Sequence, residues 1–394
     1  MKIIDGGICA VKGVRAAGIK QGKMGIAVID GEGNAAGVFT KNKIIAAPLV
    51  ITRNNIYKTQ RIGAVIVNSG NANAFTGQQG MADAKEMASI LHHYLKYPEE
   101  NIAVSSTGVI GRKLNIEWIR DHVGEVVRSL DRSAEASRNA AETIMTTDTF
   151  HKEIAVEMDC GVRIGGIAKG SGMIEPNMGT MLAFIYTDAD IASNTLDICL
   201  KKAVDRSFNM VVVDGDTSTN DMALLISTGL SSIEPEIDDF QEGLDFVLTS
   251  LAKMIAKDGE GATKLIEAHI QGASSLEDAK LASKAIVRSM LVKSAIFGED
   301  PNWGRVVSAI GYSGCDVAED KLSLSFSNEA GSIDIVRNGN IIGMEENNLD
   351  MLRSIMSQDN IIINADLNIG TGEATAWGCD LSYDYVKINA EYTT

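Results

Sequence analysis

In EPNMGTMLAFIYTDA (175–189) a threonine, Thr180, stands directly behind Gly179 where a polar loop meets an apolar run. A threonine hydroxyl is a weak nucleophile unless a base lies beside it. One such base is the residue's own α-amine, freed when the preceding peptide bond is cut. An α-amine titrates near pH ~7.7–8.0, so a useful fraction is unprotonated near neutrality. Gly179 suits the position before such a nucleophile, because without a Cβ it accepts the backbone angles that let the threonine oxygen reach its carbonyl in an N-to-O acyl shift. The plain alternative is that Thr180 opens a strand, as β-branched residues commonly do, and pattern alone favours it.

Acyl chemistry also needs donors aimed at a developing oxyanion. SSTGVIG (105–111) offers the Thr107 hydroxyl and the Gly108 N–H in adjacent residues, although an N-cap or a serine/threonine turn explains the same spacing. Metal chemistry has weaker support. The five histidines (His92, His93, His122, His151, His269) show no metal-ligand spacing and argue against a Ser-His-Asp triad. Asp214, Asp216 and Asp221 in DGDTSTND could hold a hard cation, but without EF-hand spacing a hydrogen-bonded turn is the better reading. GNANAFTG (70–77) lacks the lysine of a phosphate-binding loop and reads as a turn or a pocket wall.

These residues need a scaffold. MGIAVID, PLVITR, IGAVIVN, KEIAVEM, TMLAFIYTDA, MVVVDG, MALLIST, KLIEAHIQG and IIINADLNIG read as strands. Helical patterns cover 81–96, 115–130, 133–146, 192–206, 239–257 and 275–290. Strands and helices come in clusters rather than in strict alternation. This favours a mixed α/β fold of sandwich-like sheets with flanking helices over a doubly wound Rossmann fold. The loops 68–77, 105–111, 169–180, 214–221 and 258–264 are rich in Gly, Asn, Asp, Ser and Thr, the composition in which scaffolds commonly carry chemistry.

The chain has 394 residues, 45% of them hydrophobic, enough for a large core in one or two domains. A net charge of −16 makes nucleic acid and anionic membranes poor partners. The first residues form no signal-peptide pattern and no apolar run reaches spanning length, so the expected location is cytoplasmic. Five scattered cysteines, none in a CxxC pair, read as structural thiols.

Taken together, KGSGMIEPNMGTML, SSTGVIG, MTTDTF, VDGDTSTND, DGEGATK, PNWGR and the terminal YDYVKINAEYTT closely resemble the ornithine acetyltransferase family of arginine biosynthesis, from GGICAVKGVRAAGIKQGK to the last residue. The resemblance implies a precursor that cuts itself between Gly179 and Thr180 into an α chain, 1–179, and a β chain, 180–394, assembling as a heterotetramer of two of each. It implies that Thr180 is the nucleophile, that Thr107 and Gly108 stabilise the oxyanion, and that Thr147, Lys169, Thr180, Glu260, Asn389 and Thr394 contact substrate. Gly179 stands where many members have alanine, and Glu175 where many have histidine. The implied reaction is ping-pong acetyl transfer from N-acetylornithine to glutamate with no cofactor or metal; whether acetyl-CoA serves as a second donor stays open. On the residues, Lys169 suits a carboxylate, Glu260 an ammonium, and the segment carrying Asn389 and Thr394 a lid. Two rivals stand beside this reading: an aminopeptidase or amidase with an N-terminal nucleophile, and an uncleaved binding protein.

Overall fold

The strand Leu182–Thr187 reads LAFIYT and is buried at every position, because both faces of its sheet are covered. Leu182, Phe184 and Tyr186 enter one core with Ile8, Ile29 and Ala140, while Ala183 and Ile185 enter another with Val247 and Leu251. A strand covered on both faces loses the apolar-polar alternation of a half-exposed one.

The computed structural model describes residues 1–175, 181–343 and 345–391. Among these, nine strands form one mixed sheet. Its order is Lys2–Ile4, Lys152–Glu157, Arg163–Lys169, Leu182–Thr187, Met222–Ser227, Met24–Phe39, Arg61–Asn71 and Ile102–Val109, with Arg15–Gln21 paired to Met24–Phe39. The pairs Leu182–Thr187 with Met222–Ser227, and Arg61–Asn71 with Ile102–Val109, are parallel. A second sheet of seven strands runs Asn340–Ile341, Gly331–Arg337, Ser323–Asn328, Asn360–Asp366, Leu265–Ala273, Gly372–Cys379 and Val211–Val212.

The helix Ile237–Lys257 packs on strands of both sheets, with Phe240, Leu244, Val247, Leu248, Leu251 and Ile255 buried in the core they share. Each such side chain contributes roughly 1.5–3 kcal/mol of burial free energy. Helices Gly77–Leu95 and Ile116–Arg128 cover the Arg61–Asn71 and Ile102–Val109 end of the first sheet through Met87, Leu91, Ile119 and Val123. This is the layered, mixed α/β architecture expected from the clustering of strands and helices, and not a Rossmann fold.

One expected strand is a helix. PLVITR lies in the helix Ala47–Thr59. Pro48 sits in the first turn, where its missing N–H costs nothing. Leu49, Thr52 and Ile56 recur at helical spacing on the buried face. The Thr52 hydroxyl donates to the Val104 carbonyl at 2.7 Å and accepts from the Val104 N–H at 2.7 Å, which fixes the helix on the sheet.

Register gathers the loops. Lys169 pairs with Leu182, and Leu182 with Met222, so the end of one strand and the starts of two others lie in one row.

Candidate active site

Thr107 and Gly108 lie inside the strand Ile102–Val109, not in the loop expected from SSTGVIG. Gly108 takes φ +132°, and a Cβ there would stand 2.4 Å from the Gly70 carbonyl carbon where the pairing with Arg61–Asn71 becomes irregular. Only glycine allows that approach. The Thr107 hydroxyl oxygen lies 3.3 Å from Lys169 Nζ. An ammonium can only donate, so Thr107 accepts from it and keeps its own proton free for a third group.

Lys169, at the end of its strand, is 8% exposed. Its ammonium also donates to the Thr146 hydroxyl at 2.9 Å and lies 3.8 Å from the Asp148 carboxylate. Asp148 accepts from Lys152 Nζ at 2.8 Å and from the Gly170 N–H at 2.6 Å. Burial pushes the Asp148 carboxyl upward, but Lys169, Lys152 and Gly170 outweigh it and hold the group well below the usual carboxylate range. Lys152 is fully buried and also donates to Asp258 at 2.5 Å. Asp258 in turn accepts from the Thr149 N–H at 3.1 Å, and its carbonyl takes the Ser171 hydroxyl at 2.6 Å. Alternating charges thus run from Lys169 through Asp148 and Lys152 to Asp258, two residues before Glu260.

The loop 214–221 is the turn expected from its sequence. Asp214 accepts from the Met173 N–H at 2.6 Å and the Ile174 N–H at 2.8 Å, and its carboxyl is nonetheless raised by burial. Asn220 donates to the carbonyls of Ala72 at 2.6 Å and Ser106 at 2.8 Å, which ties this loop to the residue before Thr107 and to the wall formed by GNANAFTG. Among the described residues no cluster of three or more His, Cys, Asp or Glu is arranged for a metal ion.

Glu260 follows Asp258, and its position is set by Gly172, where a Cβ would stand 2.3 Å from the Glu260 carboxyl carbon. The helix Tyr383–Glu391 brings Tyr385 and Asn389, one turn apart, to the same place. Asn389 Nδ2 donates to Glu260 Oε2 at 2.8 Å. Burial and the nearby carboxylates of Asp214, Glu260 and Asp216 raise the Tyr385 phenol.

One cavity of about 300 Å³ is lined by Thr107, Gly108, Thr147, Lys169, Glu260 and Asn389, all named from the sequence as site residues. Gly179, Thr180 and Thr394 lie outside the described residues, but Met181 and Leu182, which follow Thr180, line the same cavity. Thr146, Asp148, Asn220 and Tyr385 were not singled out by sequence reasoning. Only Tyr385 leaves a local sign, four residues before Asn389 on one helix face. The cavity combines a cation (Lys169), an anion (Glu260), the adjacent Thr107 hydroxyl and Gly108 N–H, and the apolar side chains of Ile110, Met173 and Met181, chemistry that could serve acyl transfer on a zwitterionic amino acid.

Residues 11–394 match the ArgJ family model. A glutamate N-acetyltransferase of Methanosarcina mazei is 61% identical over 397 aligned residues, covering 100% of both chains. The arginine biosynthesis bifunctional protein ArgJ of Archaeoglobus fulgidus is 48% identical, covering 98% of this chain and 100% of that one. A crystal structure of arginine biosynthesis bifunctional protein ArgJ from Bacillus halodurans superposes with a TM-score of 0.51 at 42% identity, covering 54% of this chain and 100% of that one.

Proposed function

Given that the chain belongs to the ArgJ family, acyltransferases of arginine biosynthesis, we propose that it transfers an acetyl group from N2-acetyl-L-ornithine to L-glutamate through an acetyl-Thr180 intermediate, after cutting itself between Gly179 and Thr180. The observation that carries this reading is the placement of Lys169, Glu260 and the Thr107–Gly108 pair around one cavity. N-acetylornithine has a carboxylate, an acetamide and a distal ammonium. Lys169 takes the carboxylate, Glu260 takes the ammonium, and the acetamide carbonyl falls to Thr107 and Gly108.

Thr180 attacks the acetamide carbon with its α-amine as base, and the oxyanion is held by the Thr107 hydroxyl and the Gly108 N–H. Collapse expels ornithine, whose nitrogen takes the proton. Glutamate then enters the same cavity, and its amine removes the acetyl group from the threonine ester. Thr147, Asn389 and Thr394 complete the substrate contacts, and the apolar rim and the C-terminal helix keep water from the ester. The α chain, 1–179, and β chain, 180–394, stay together in this reading as an assembly of two of each. The length of the solved ArgJ chain supports the cut: all of it is matched by 54% of this chain, and residues 180–394 are 215 of the 394.

A denaturing gel with intact mass tests the cut, with Thr180→Ala as the uncleaved control. Ornithine release from N-acetylornithine is then followed with and without glutamate. A single burst that resumes on adding glutamate supports the transferase; sustained turnover in water replaces it with a hydrolase. The same sample with acetyl-CoA and glutamate decides whether acetyl-CoA is a second donor.

A further inference from the structure

Four residues stand in one row across the first sheet: Lys20 pairs with Gly25, Gly25 with Ser69, and Ser69 with Thr107. Residues directly opposite one another share a face of a sheet, so Lys20 lies on the Thr107 face. Gly25 has no side chain there, and a Cβ would stand 2.7 Å from the Thr143 carbonyl oxygen. The end of the helix Ala134–Thr143 occupies that space, and the Ser69 hydroxyl donates to the Thr143 carbonyl at 2.7 Å. The Lys20 ammonium donates to the carbonyls of Met145 at 2.8 Å and Glu142 at 3.2 Å. Thr146, which follows Met145, lines the cavity and accepts from Lys169 at 2.9 Å. Two lysines thus meet consecutive residues of the cavity wall, and at most ~11 Å separates their ammonium groups.

The two substrates of the proposed reaction differ at their far ends. N-acetylornithine ends in an ammonium, which Glu260 attracts, whereas glutamate ends in a carboxylate, which Glu260 repels. Among the described residues lining the cavity, Lys169 is the one cation beside four acids, Asp214, Asp216, Asp221 and Glu260. Lys169 serves one carboxylate of glutamate, and the other needs a second cation. Lys152 is buried and held by Asp148 and Asp258. Lys20 is exposed, and its two carbonyl partners leave its third proton without a partner among the described residues. Partial burial lowers its ammonium from the ordinary value, and Asp148 and Lys169 are the charges it feels most. Four carbon–carbon bonds separate the carboxyl carbons of glutamate, ~5 Å when extended, so with a hydrogen bond at each end the molecule bridges two ammonium groups at that spacing.

We propose that Lys20 selects the acceptor: its ammonium takes the distal carboxylate of glutamate, turned away from Glu260, while the amine meets the acetyl group beside Thr107 and Gly108. This rests on the proposed transfer from N-acetylornithine to glutamate. Rotation about the bond between the amine nitrogen and Cα redirects the side chain without moving the amine, so donor and acceptor share the reacting position and differ in where their far ends lie. A lysine near a helix C-terminus also closes the last carbonyls. That role alone would serve both substrates alike, which separates the two by experiment.

In a ping-pong scheme kcat/KM for each substrate reports its own half-reaction. The test measures kcat/KM for N-acetylornithine and for glutamate with wild type, Lys20→Gln, Lys20→Met and Lys20→Arg, and melting temperature on the same samples. Glutamine, whose distal amide is uncharged, is run as a second acceptor. The Gln and Met variants should lose ~10–100-fold in kcat/KM for glutamate, the range of one hydrogen bond to a charged group. Their values for N-acetylornithine and glutamine should stay at the wild-type level, and Lys20→Arg should restore glutamate use. An equal loss for donor and acceptor assigns Lys20 to closing the helix and overturns the inference, as does an unchanged value for glutamate. If neither neutral variant folds, a wild type that uses glutamine as well as glutamate overturns it, because no cation then reads the distal carboxylate. A wild type that releases no ornithine from N-acetylornithine overturns the functional reading and this inference with it.

Discussion

The Lys169 ammonium donates to the Thr107 hydroxyl oxygen at 3.3 Å while Gly108, the next residue, is held at φ +132° against Gly70. The pairing orients the Thr107 hydroxyl by a hydrogen bond and the Gly108 N–H by backbone shape, the two groups that the proposed mechanism uses on the oxyanion. Thr107→Val keeps the branched shape and removes the hydroxyl donor. Loss of one such donor costs ~10²–10³ in kcat. Steady-state kinetics with N-acetylornithine and glutamate should show that fall with KM nearly unchanged, because the donor acts on charge that develops only in the transition state.

If Lys169 takes the substrate carboxylate as proposed, Lys169→Met should raise KM for N-acetylornithine and should also lower kcat through the loss of its bond to Thr107. An unchanged KM would sink the carboxylate assignment. Comparison with Thr107→Val separates the two effects, because the valine variant leaves the ammonium in place.

Gly108→Ala should be worse than either. The added Cβ meets backbone at 2.4 Å, and neither strand can yield without breaking the pairing between Arg61–Asn71 and Ile102–Val109. A positive φ adds strain of order 1–3 kcal/mol. The expected result is a drop in melting temperature together with lost transfer, measured on the same sample.

Glu260 should decide donor chemistry. Its carboxylate accepts from Asn389 at 2.8 Å, and both residues line the cavity with Tyr385. Glu260→Gln should raise KM for N-acetylornithine but change little for N-acetylnorvaline, which lacks the distal ammonium. Equal effects on the two donors would remove Glu260 from recognition. Gly172→Ala, whose Cβ would displace the same carboxylate from 2.3 Å, should reproduce the pattern without touching Glu260 itself.

What the chain disclosed in advance follows from how far apart the partners lie. TMLAFIY, MALLIST and IGAVIVN carry runs that only a covered sheet accommodates, and they are strands. PLVITR is too short for its apolar run to separate the two periods, and the proline in the first turn decided it toward helix. Thr107, Gly108, Thr147, Lys169, Glu260 and Asn389, named through the family resemblance that an ordered series of loops carries, line one cavity. Their supports were not legible. Lys152 begins an ordinary-looking strand, and nothing nearby in sequence announces that its ammonium is buried against Asp258, 106 residues away. Asn220 likewise acts on Ser106 across 114 residues.

That buried network yields a pH prediction. Asp148 is held below the usual carboxylate range in the folded chain, so the unfolded chain binds its proton more tightly. Its contribution to stability is therefore complete above the unfolded value, near pH ~3.9, and is lost as pH falls towards the folded one. Asp148→Asn removes that contribution at every pH and leaves the Lys152 and Lys169 ammonium groups short of a counter-charge in a site where Lys152 is fully buried. Breaking a buried pair in this way costs about 3–5 kcal/mol. Denaturant melts at pH 7 should show a loss of that order for Asp148→Asn. The gap between wild type and variant should narrow in melts below pH ~3.9, as the wild-type group gives up its charge. A gap that stays constant into acid would mean that Asp148 acts through packing, not through its charge.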